Sequence, residues 1–154
     1  MDSLLLIHQH YPWLLVGVVV VYSAIAGSFF TCATYRVSKG ISLRKPASMC
    51  PSCGERLRAV DLVPVLSYVF FKGRCRMCSA PIPLRYLSIE LVTIAWGVAC
   101  YLIFGVSLLF VSALLAGWGL LFYTVCRVLY GVHTYKVLLF SIIWCCVFFF
   151  LLFT

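Results

Sequence analysis

The stretch from Cys50 to Glu90, CPSCGERLRAVDLVPVLSYVFFKGRCRMCSAPIPLRYLSIE, decides how this chain of 154 residues is organised. It is the only long segment that is not hydrophobic enough to lie within a membrane, so the remainder is interpreted as its anchor. Two C-x-x-C pairs, Cys50/Cys53 and Cys75/Cys78, stand 21 residues apart. This spacing is typical of a four-cysteine zinc ribbon, in which each pair brings two thiolates to one metal ion. The sequence therefore predicts one structural Zn²⁺ held by these four cysteines.

The composition indicates that the rest of the chain lies in a membrane. Hydrophobic residues make up 64% of the sequence and charged residues 10%, with a mean hydropathy of +1.10. Soluble proteins are typically about 45 to 50% apolar and about 25% charged. The predicted fold is an all-α integral membrane protein with about four transmembrane helices and a zinc-ribbon loop domain over residues 36–86. The predicted spans are residues 11–35, 87–104, 107–126 and 137–154.

The first apolar span resembles a secretory signal peptide in one respect only. Ala24-Ile25-Ala26 imitates a signal-peptidase site, but the preceding segment has no basic residue and the apolar sequence continues beyond it. We therefore expect this segment to remain attached as a transmembrane helix.

The positive charge of the chain is concentrated in the loop. Ten of the twelve basic residues lie between residues 36 and 85, against only Glu55 and Asp61. The positive-inside rule places such a short basic loop in the cytoplasm, so both termini would lie outside. Disulfides within each C-x-x-C pair are the alternative to zinc, but structural disulfides are rare in that reducing compartment. A cytoplasmic zinc loop is therefore predicted.

The middle of the loop, residues 60–71, is itself apolar. It is too short to span a bilayer and too apolar for a free linker, so it packs against the zinc knuckles or lies at the bilayer surface. Pro64 argues against one continuous helix there. The remaining cysteines lie within the spans, where cysteine behaves as a small buried hydrophobic residue rather than a ligand; they are Cys32, Cys100, Cys126, Cys145 and Cys146.

Many separate positions of the chain agree in one register with a known family. Over about residues 27–92 the sequence closely resembles the N-terminal region of type IV prepilin peptidases. The resemblance implies a bacterial inner-membrane protein that works with pilin-like substrates. The matching positions are Gly27-Ser28-Phe29, Arg36, both C-x-x-C pairs, Asp61-Leu62-Val63-Pro64-Val65-Leu66-Ser67, Gly73-Arg74, Pro81-Ile82, Arg85-Tyr86 and Glu90.

Members of that family cleave the short basic leader from type IV pilins and type II secretion pseudopilins at the cytoplasmic face. Bifunctional members then methylate the new N-terminus with S-adenosylmethionine. Besides the lipid bilayer, the resemblance therefore implies as partner a pilin-like substrate or another membrane protein of the pilus or secretion machinery.

The sequence departs from the family at the peptidase site. The family is an intramembrane aspartyl peptidase with two catalytic aspartates in later helices, the second in a G-x-G-D motif. Residues 120–136, LLFYTVCRVLYGVHTYK, stand where the first aspartate would fall yet contain no acid, and no G-x-G-D follows. Because two carboxylates must share a proton, and Asp2 and Asp61 would lie on opposite sides of the membrane, we expect no catalytic residue for peptide cleavage. A mixed pair of Asp61 and Glu90 at the membrane boundary is the chemical alternative.

Glu90 lies about one turn inside a predicted span. An unpaired charge there costs at least about 2.5 kcal/mol, so the carboxylate needs a partner. Arg36 and Arg85 are the candidates, and such an ion pair would hold the zinc loop against the helices. Alternatively, Glu90 contacts a substrate or a methyl donor. We therefore single out Arg36, Asp61, Arg85 and Glu90 as structural or substrate-contacting candidates.

Two classes of function follow from this combination. The leading hypothesis is a non-catalytic membrane adaptor or regulator that retains the zinc loop. The alternative is one half of an enzyme, either a prepilin N-methyltransferase or a subunit of a split prepilin peptidase. S-adenosylmethionine is unsupported by a motif, since no Gly-rich strand–turn–helix is present. The basic loop also suits anionic lipid headgroups, but no aromatic–basic interleaving favours nucleic acid.

Overall fold

A computed structural model describes residues 10–45 and 47–153 of the chain. Within these ranges the protein is helical and contains no strand, which confirms the predicted all-α fold. Asp2 and Thr154 lie outside the described residues. The elements are α1 (Pro12–Ser38), a 3₁₀ turn (Ala59–Leu62), α2 (Leu66–Phe70), α3 (Arg85–Phe104), α4 (Leu108–Tyr130) and α5 (Tyr135–Phe153).

Four of these helices, α1, α3, α4 and α5, are long and apolar enough to cross a membrane. Their mean hydropathies reach 2.1, 1.9, 2.0 and 2.6 in that order. Many of their bulky apolar side chains are exposed and few are buried, which suits a surface that faces lipid rather than water. The predicted membrane protein with four spans is therefore confirmed.

The ends of the long helices follow from local sequence signals. Pro12 opens α1, where its missing N–H costs nothing because the first N–H groups of a helix have no partner within it. The Ser107 hydroxyl caps α4 by accepting a hydrogen bond from the N–H of Phe110 at 3.1 Å. Gly131 then terminates α4 in the left-handed conformation, with φ +67°. These signals separate α4 from its neighbours and produce short connections.

The helices pack in two pairs, α1 on α3 and α4 on α5, with lesser contact between the pairs. Glycine permits the close approach in each pair. A Cβ atom at Gly27 of α1 would lie 2.9 Å from the Cα atom of Glu90 in α3. In the other pair, Gly119 of α4 lies against the hydroxyl of Ser141 in α5. Small residues that let backbones touch are the usual basis of helix association in lipid.

The long loop between α1 and α3 lies at one end of this bundle. Because successive spans alternate in direction, the loop shares its side of the membrane with the short turn between α4 and α5. The turn between α3 and α4 lies at the opposite end. All the candidate functional residues are thus brought to the loop side, where the first helical pair meets the loop.

Candidate functional site

The first C-x-x-C pair lies in a tight turn closed by backbone hydrogen bonds. The N–H of Cys50 donates to the carbonyl of Glu55 at 2.9 Å, and the N–H of Gly54 donates back to the carbonyl of Cys50 at 2.9 Å. An isolated bridge between Met49 and Arg56 aligns the two arms of the turn. Gly54 has φ +72°, a conformation that glycine adopts without a steric penalty.

The second pair repeats this turn. The N–H of Cys75 donates to the carbonyl of Ala80, and the N–H of Ser79 donates to the carbonyl of Cys75, both at 2.9 Å. An isolated bridge between Arg74 and Pro81 closes the arms. Ser79, with φ +58°, occupies the left-handed position that glycine fills in the first turn. The chain therefore presents two similar knuckles to one another.

The four cysteines of the two knuckles converge on one point, as their spacing predicts. All four Sγ atoms lie within 4.8 Å of one another, and those of Cys50 and Cys78 are 3.9 Å apart. A zinc ion with four thiolates at about 2.3 Å in a tetrahedron sets its sulfurs about 3.8 Å apart. All four are free cysteines; Cys50 and Cys75 are buried, whereas Cys53 and Cys78 face solvent. The donor set and its spacing fit a single metal ion such as Zn²⁺.

The backbone prepares one thiol of the cluster for metal binding. Chiefly because the backbone N–H of Cys53 donates to its sulfur, the pKa of Cys50 falls to about 6, so this thiol is ionised at neutral pH. The pKa of Cys53 moves the other way: the backbone N–H of Glu55 stabilises its thiolate, but desolvation and the sulfurs of Cys78 and Cys50 together raise it to about 11. Two neighbouring thiolates repel each other. A divalent cation removes this repulsion.

Asp61 ties the middle of the loop to the second knuckle. Its carboxylate accepts hydrogen bonds from the backbone N–H of Arg58 at 2.8 Å and from the Arg76 guanidinium at 2.9 Å. Both oxygens are engaged, one by Arg76 alone and the other by both arginines. Although desolvation raises it, the pKa of Asp61 is lowered overall by these hydrogen bonds and by the positive charge of Arg76. The charged Asp61 side chain thus joins the middle of the loop to the second knuckle.

Glu90 holds the loop against the helical pair through a backbone group. Its Oε2 atom accepts a hydrogen bond from the N–H of Val65 at 2.7 Å, and the hydroxyl of Ser28 in α1 is a second partner. Val65 has φ +61°, which is strongly disfavoured for a β-branched residue. Such strain costs about 1 to 3 kcal/mol and persists only where surrounding contacts fix it. Glu90 provides that contact.

The two arginines proposed as partners of Glu90 make other contacts as well. The Arg36 guanidinium, which is buried, donates to the carbonyl of Ser42 at 2.8 Å. The Arg85 guanidinium lies over the ring of Tyr86, 5.8 Å from its centroid. An ion pair in the described part of the loop joins Arg76 to Asp61. Sequence reasoning missed Val65 because a backbone N–H acts as a partner of Glu90 and carries no signature in the residue types.

A cavity of about 420 Å³ lies between α1, the knuckles, α2 and the start of α3. Its walls are mainly apolar. Three of the four candidate residues, Arg36, Asp61 and Glu90, contribute to its lining, together with both buried cysteines. Three tyrosines that are not among the predicted site residues also line it, namely Tyr35, Tyr68 and Tyr86. The site therefore combines a metal-binding cluster with an apolar recess that contains charged groups.

Comparison with known proteins connects this architecture to a family. The family model described as Bacterial Peptidase A24 N-terminal domain matches residues 21–104, which include α3 and the entire loop. A prepilin leader peptidase/N-methyltransferase of Bacillus subtilis is 35% identical over 94 residues, covering 61% of this chain and 38% of that protein. A protein of the same name from Burkholderia pseudomallei is 44% identical over 89 residues, covering 58% and 28%.

A third prepilin leader peptidase/N-methyltransferase, from Aeromonas hydrophila, is 30% identical over 133 residues, covering 71% of this chain and 46% of that protein. The chain thus matches less than half the length of each of these relatives. No solved structure matches it.

Proposed function

The chain belongs to the Bacterial Peptidase A24 N-terminal domain family, and we propose that it is a non-catalytic adaptor or regulator in a bacterial inner membrane. Its partner would be a pilin-like protein or another component of a type IV pilus or type II secretion machinery. The observation that carries this proposal is that Asp61 and Glu90, the two carboxylates that could form a mixed pair at the membrane boundary, are both engaged in holding the loop together.

Aspartyl peptidase chemistry requires two carboxylates that share one proton and activate a water molecule. Asp61 has both oxygens engaged by the backbone N–H of Arg58 and by the Arg76 guanidinium, and these contacts lower its pKa. Glu90 is directed at the N–H of Val65. Residues 120–136, where the resemblance would place a catalytic aspartate, contain no acid. These contacts favour a structural role for both carboxylates.

The adaptor would keep its shape through the metal. We propose that Cys50, Cys53, Cys75 and Cys78 bind one Zn²⁺, which supplies folding energy to a loop in whose described part few apolar side chains are buried. The loop would face the cytoplasm, because its ten basic residues oppose transfer across the membrane. The same charge repels a basic pilin leader. We therefore propose that the cavity accepts an apolar segment of the partner, which suits its mainly apolar walls.

An experiment with the purified chain in lipid nanodiscs and a fluorescently labelled pilin-like protein measures binding and cleavage separately. We expect saturable binding and no cleavage. Ser67, which lines the cavity, is replaced by tryptophan to fill it; Ser88→Trp is the matched control, since Ser88 is exposed on α3 and does not line the cavity. Binding should fall with Ser67→Trp only. Equal binding by both variants would refute the cavity as the docking site.

The enzymatic alternative predicts different results in the same experiment. A split peptidase would cleave after addition of a partner chain that carries intramembrane aspartates, and a methyltransferase would move a labelled methyl group from S-adenosylmethionine to the mature N-terminus. Cleavage by the isolated chain that disappears in Asp61→Asn or Glu90→Gln would overturn the adaptor assignment. Methyl transfer by the isolated chain would overturn it as well.

A further inference from the structure

The short helix α2 has two contrasting faces. Ser67, Tyr68 and Phe71 point inward and line the cavity. On the opposite face, Leu66, Val69 and Phe70 are 67%, 64% and 80% exposed, and Val63, which precedes the helix, is 40% exposed. Spacings of three and four residues place Leu66, Val69 and Phe70 on one side of the helix. An apolar stripe of this size is unusual for a loop surrounded by water.

The hydrogen bond between Val65 and Glu90 fixes the depth of this helix relative to the membrane. The helix α3 has 20 residues. At about 1.5 Å per residue its length is close to the hydrocarbon thickness of a bilayer, about 30 Å. Glu90 lies five residues after Arg85, the first residue of α3, and so about 7.5 Å below the membrane boundary. Since the N–H of Val65 is 2.7 Å from Oε2 of Glu90, the start of α2 lies close to that depth.

The backbone of this segment is already suited to lipid. Exposed backbone in hydrocarbon must have its N–H groups paired internally, because no water is available. Pro64 has no N–H, and the N–H of Val65 is held by Glu90. The N–H groups of Ser67, Phe71 and Gly73 donate to the carbonyls of residues 63, 67 and 68. These N–H groups therefore need no water molecule as a partner within the bilayer.

Basic residues follow directly where the segment leaves the membrane. Lys72 and Arg74 are exposed at the C-terminal end of α2. A basic residue near an anionic membrane surface gains about 1 kcal/mol. At the other side of the loop, Leu84 is exposed next to the first turn of α3, so the apolar surface leads towards a helix that itself faces lipid. The basic residues and the apolar surface of the loop can therefore contact the same bilayer that the long helices cross.

We propose that α2 is a membrane-inserted wedge, with Val63, Leu66, Val69 and Phe70 embedded in the leaflet on the loop side. Glu90 anchors the wedge to α3, and Lys72 and Arg74 contact anionic headgroups. The zinc knuckles are then held at the membrane surface at a fixed height, with the cavity between the knuckles and the wedge. This inference concerns the lipid contact of the loop and is independent of the adaptor function.

The test uses the full chain in nanodiscs that contain phosphatidylglycerol and phosphatidylcholine with brominated acyl chains, which quench tryptophan only within the bilayer. Phe70→Trp adds one fluorophore to the four native tryptophans. Val69→Trp repeats the measurement at the next residue, so that the result does not depend on one substitution. Met77→Trp is the control, because Met77 is 58% exposed on the second knuckle beside the metal ligands.

We expect brominated lipid to remove most of the fluorescence that Phe70→Trp and Val69→Trp add, and little of that added by Met77→Trp. A new tryptophan at residue 70 that is quenched by aqueous iodide and not by brominated lipid would overturn the proposal, since the stripe would face water. A tryptophan quenched by neither agent would also overturn it, because a second copy of the chain or another protein would then cover the stripe.

Discussion

Replacing Glu90 by leucine should release the loop from the helical pair without leaving a large void. The substitution removes the acceptor of the Val65 N–H, which would then be left unpaired in a partly buried position. An unsatisfied buried N–H costs about 1 to 3 kcal/mol. The strain at Val65, with φ +61°, would lose the contact that opposes it. A loss of about 2 kcal/mol corresponds to about a 30-fold larger population of the opened loop, since 1.4 kcal/mol is a factor of about ten.

Hydrogen–deuterium exchange in nanodiscs, followed by mass spectrometry of peptides that cover residues 63–71, measures this opening directly. We expect exchange about 30-fold faster in Glu90→Leu, from the free energy above. Glu90→Gln should accelerate exchange less, because its amide oxygen still accepts a hydrogen bond, although one without charge. Arg85→Gln is the control and should leave these peptides unchanged.

Two results would refute this reasoning. Wild-type exchange in Glu90→Leu would mean that the hydrogen bond does not anchor the loop. Equal acceleration in Arg85→Gln would mean that an ion pair between Glu90 and Arg85 performs the anchoring, as the sequence suggested.

Three further outcomes are expected. Cys50→Ser should lower the zinc content of the purified protein well below one ion per chain and expose the loop to proteolysis; an unchanged zinc content would exclude this cysteine as a ligand. Gly27→Leu should destabilise the pairing of α1 with α3 by about 1 to 3 kcal/mol, seen as a lower thermal midpoint, because its side chain meets backbone at Glu90. In intact cells, an impermeant thiol reagent should label Ser107→Cys and not Ser42→Cys; the reverse pattern would invert the proposed orientation.

The sequence predicted the parts of the structure that depend on residue type and spacing. Two C-x-x-C pairs are sufficient to predict a four-thiol cluster, because each knuckle is a local turn and the chemistry of one metal ion brings two knuckles together. The four spans were likewise predictable, since apolar length alone identifies them. Their ends were less so: α1 continues to Ser38, three residues beyond the predicted end at Tyr35, and α4 continues to Tyr130. Hydropathy falls at Arg36 and Arg127, but a basic side chain does not end a helix.

The contacts made by the backbone could not be predicted. Pairing Glu90 with an arginine followed from charge, whereas the structure also gives it the N–H of Val65, a group that every non-proline residue carries. The left-handed conformation of Ser79 could not be predicted either. Glycine usually indicates such a conformation, and at the equivalent position of the first knuckle the residue is Gly54. Asp61 was singled out by the sequence as a structural or substrate-contacting candidate, but its partners, the backbone N–H of Arg58 and the Arg76 guanidinium, were not predicted.

Because the long helices pack in two pairs, a boundary with fewer contacts, here called the seam, runs through the bundle between α1–α3 and α4–α5. One side of the seam, α1 with α3, carries the loop and is the part that the family model covers, apart from the first turns of α1. The other side, α4 with α5, holds itself together through its own close contacts and lies outside the matched residues. We expect a boundary of this kind to allow the α4–α5 pair to be replaced while α1 and α3 continue to support the loop. Chimaeric proteins that join α1, the loop and α3 to a foreign helical hairpin would show how freely the two modules combine.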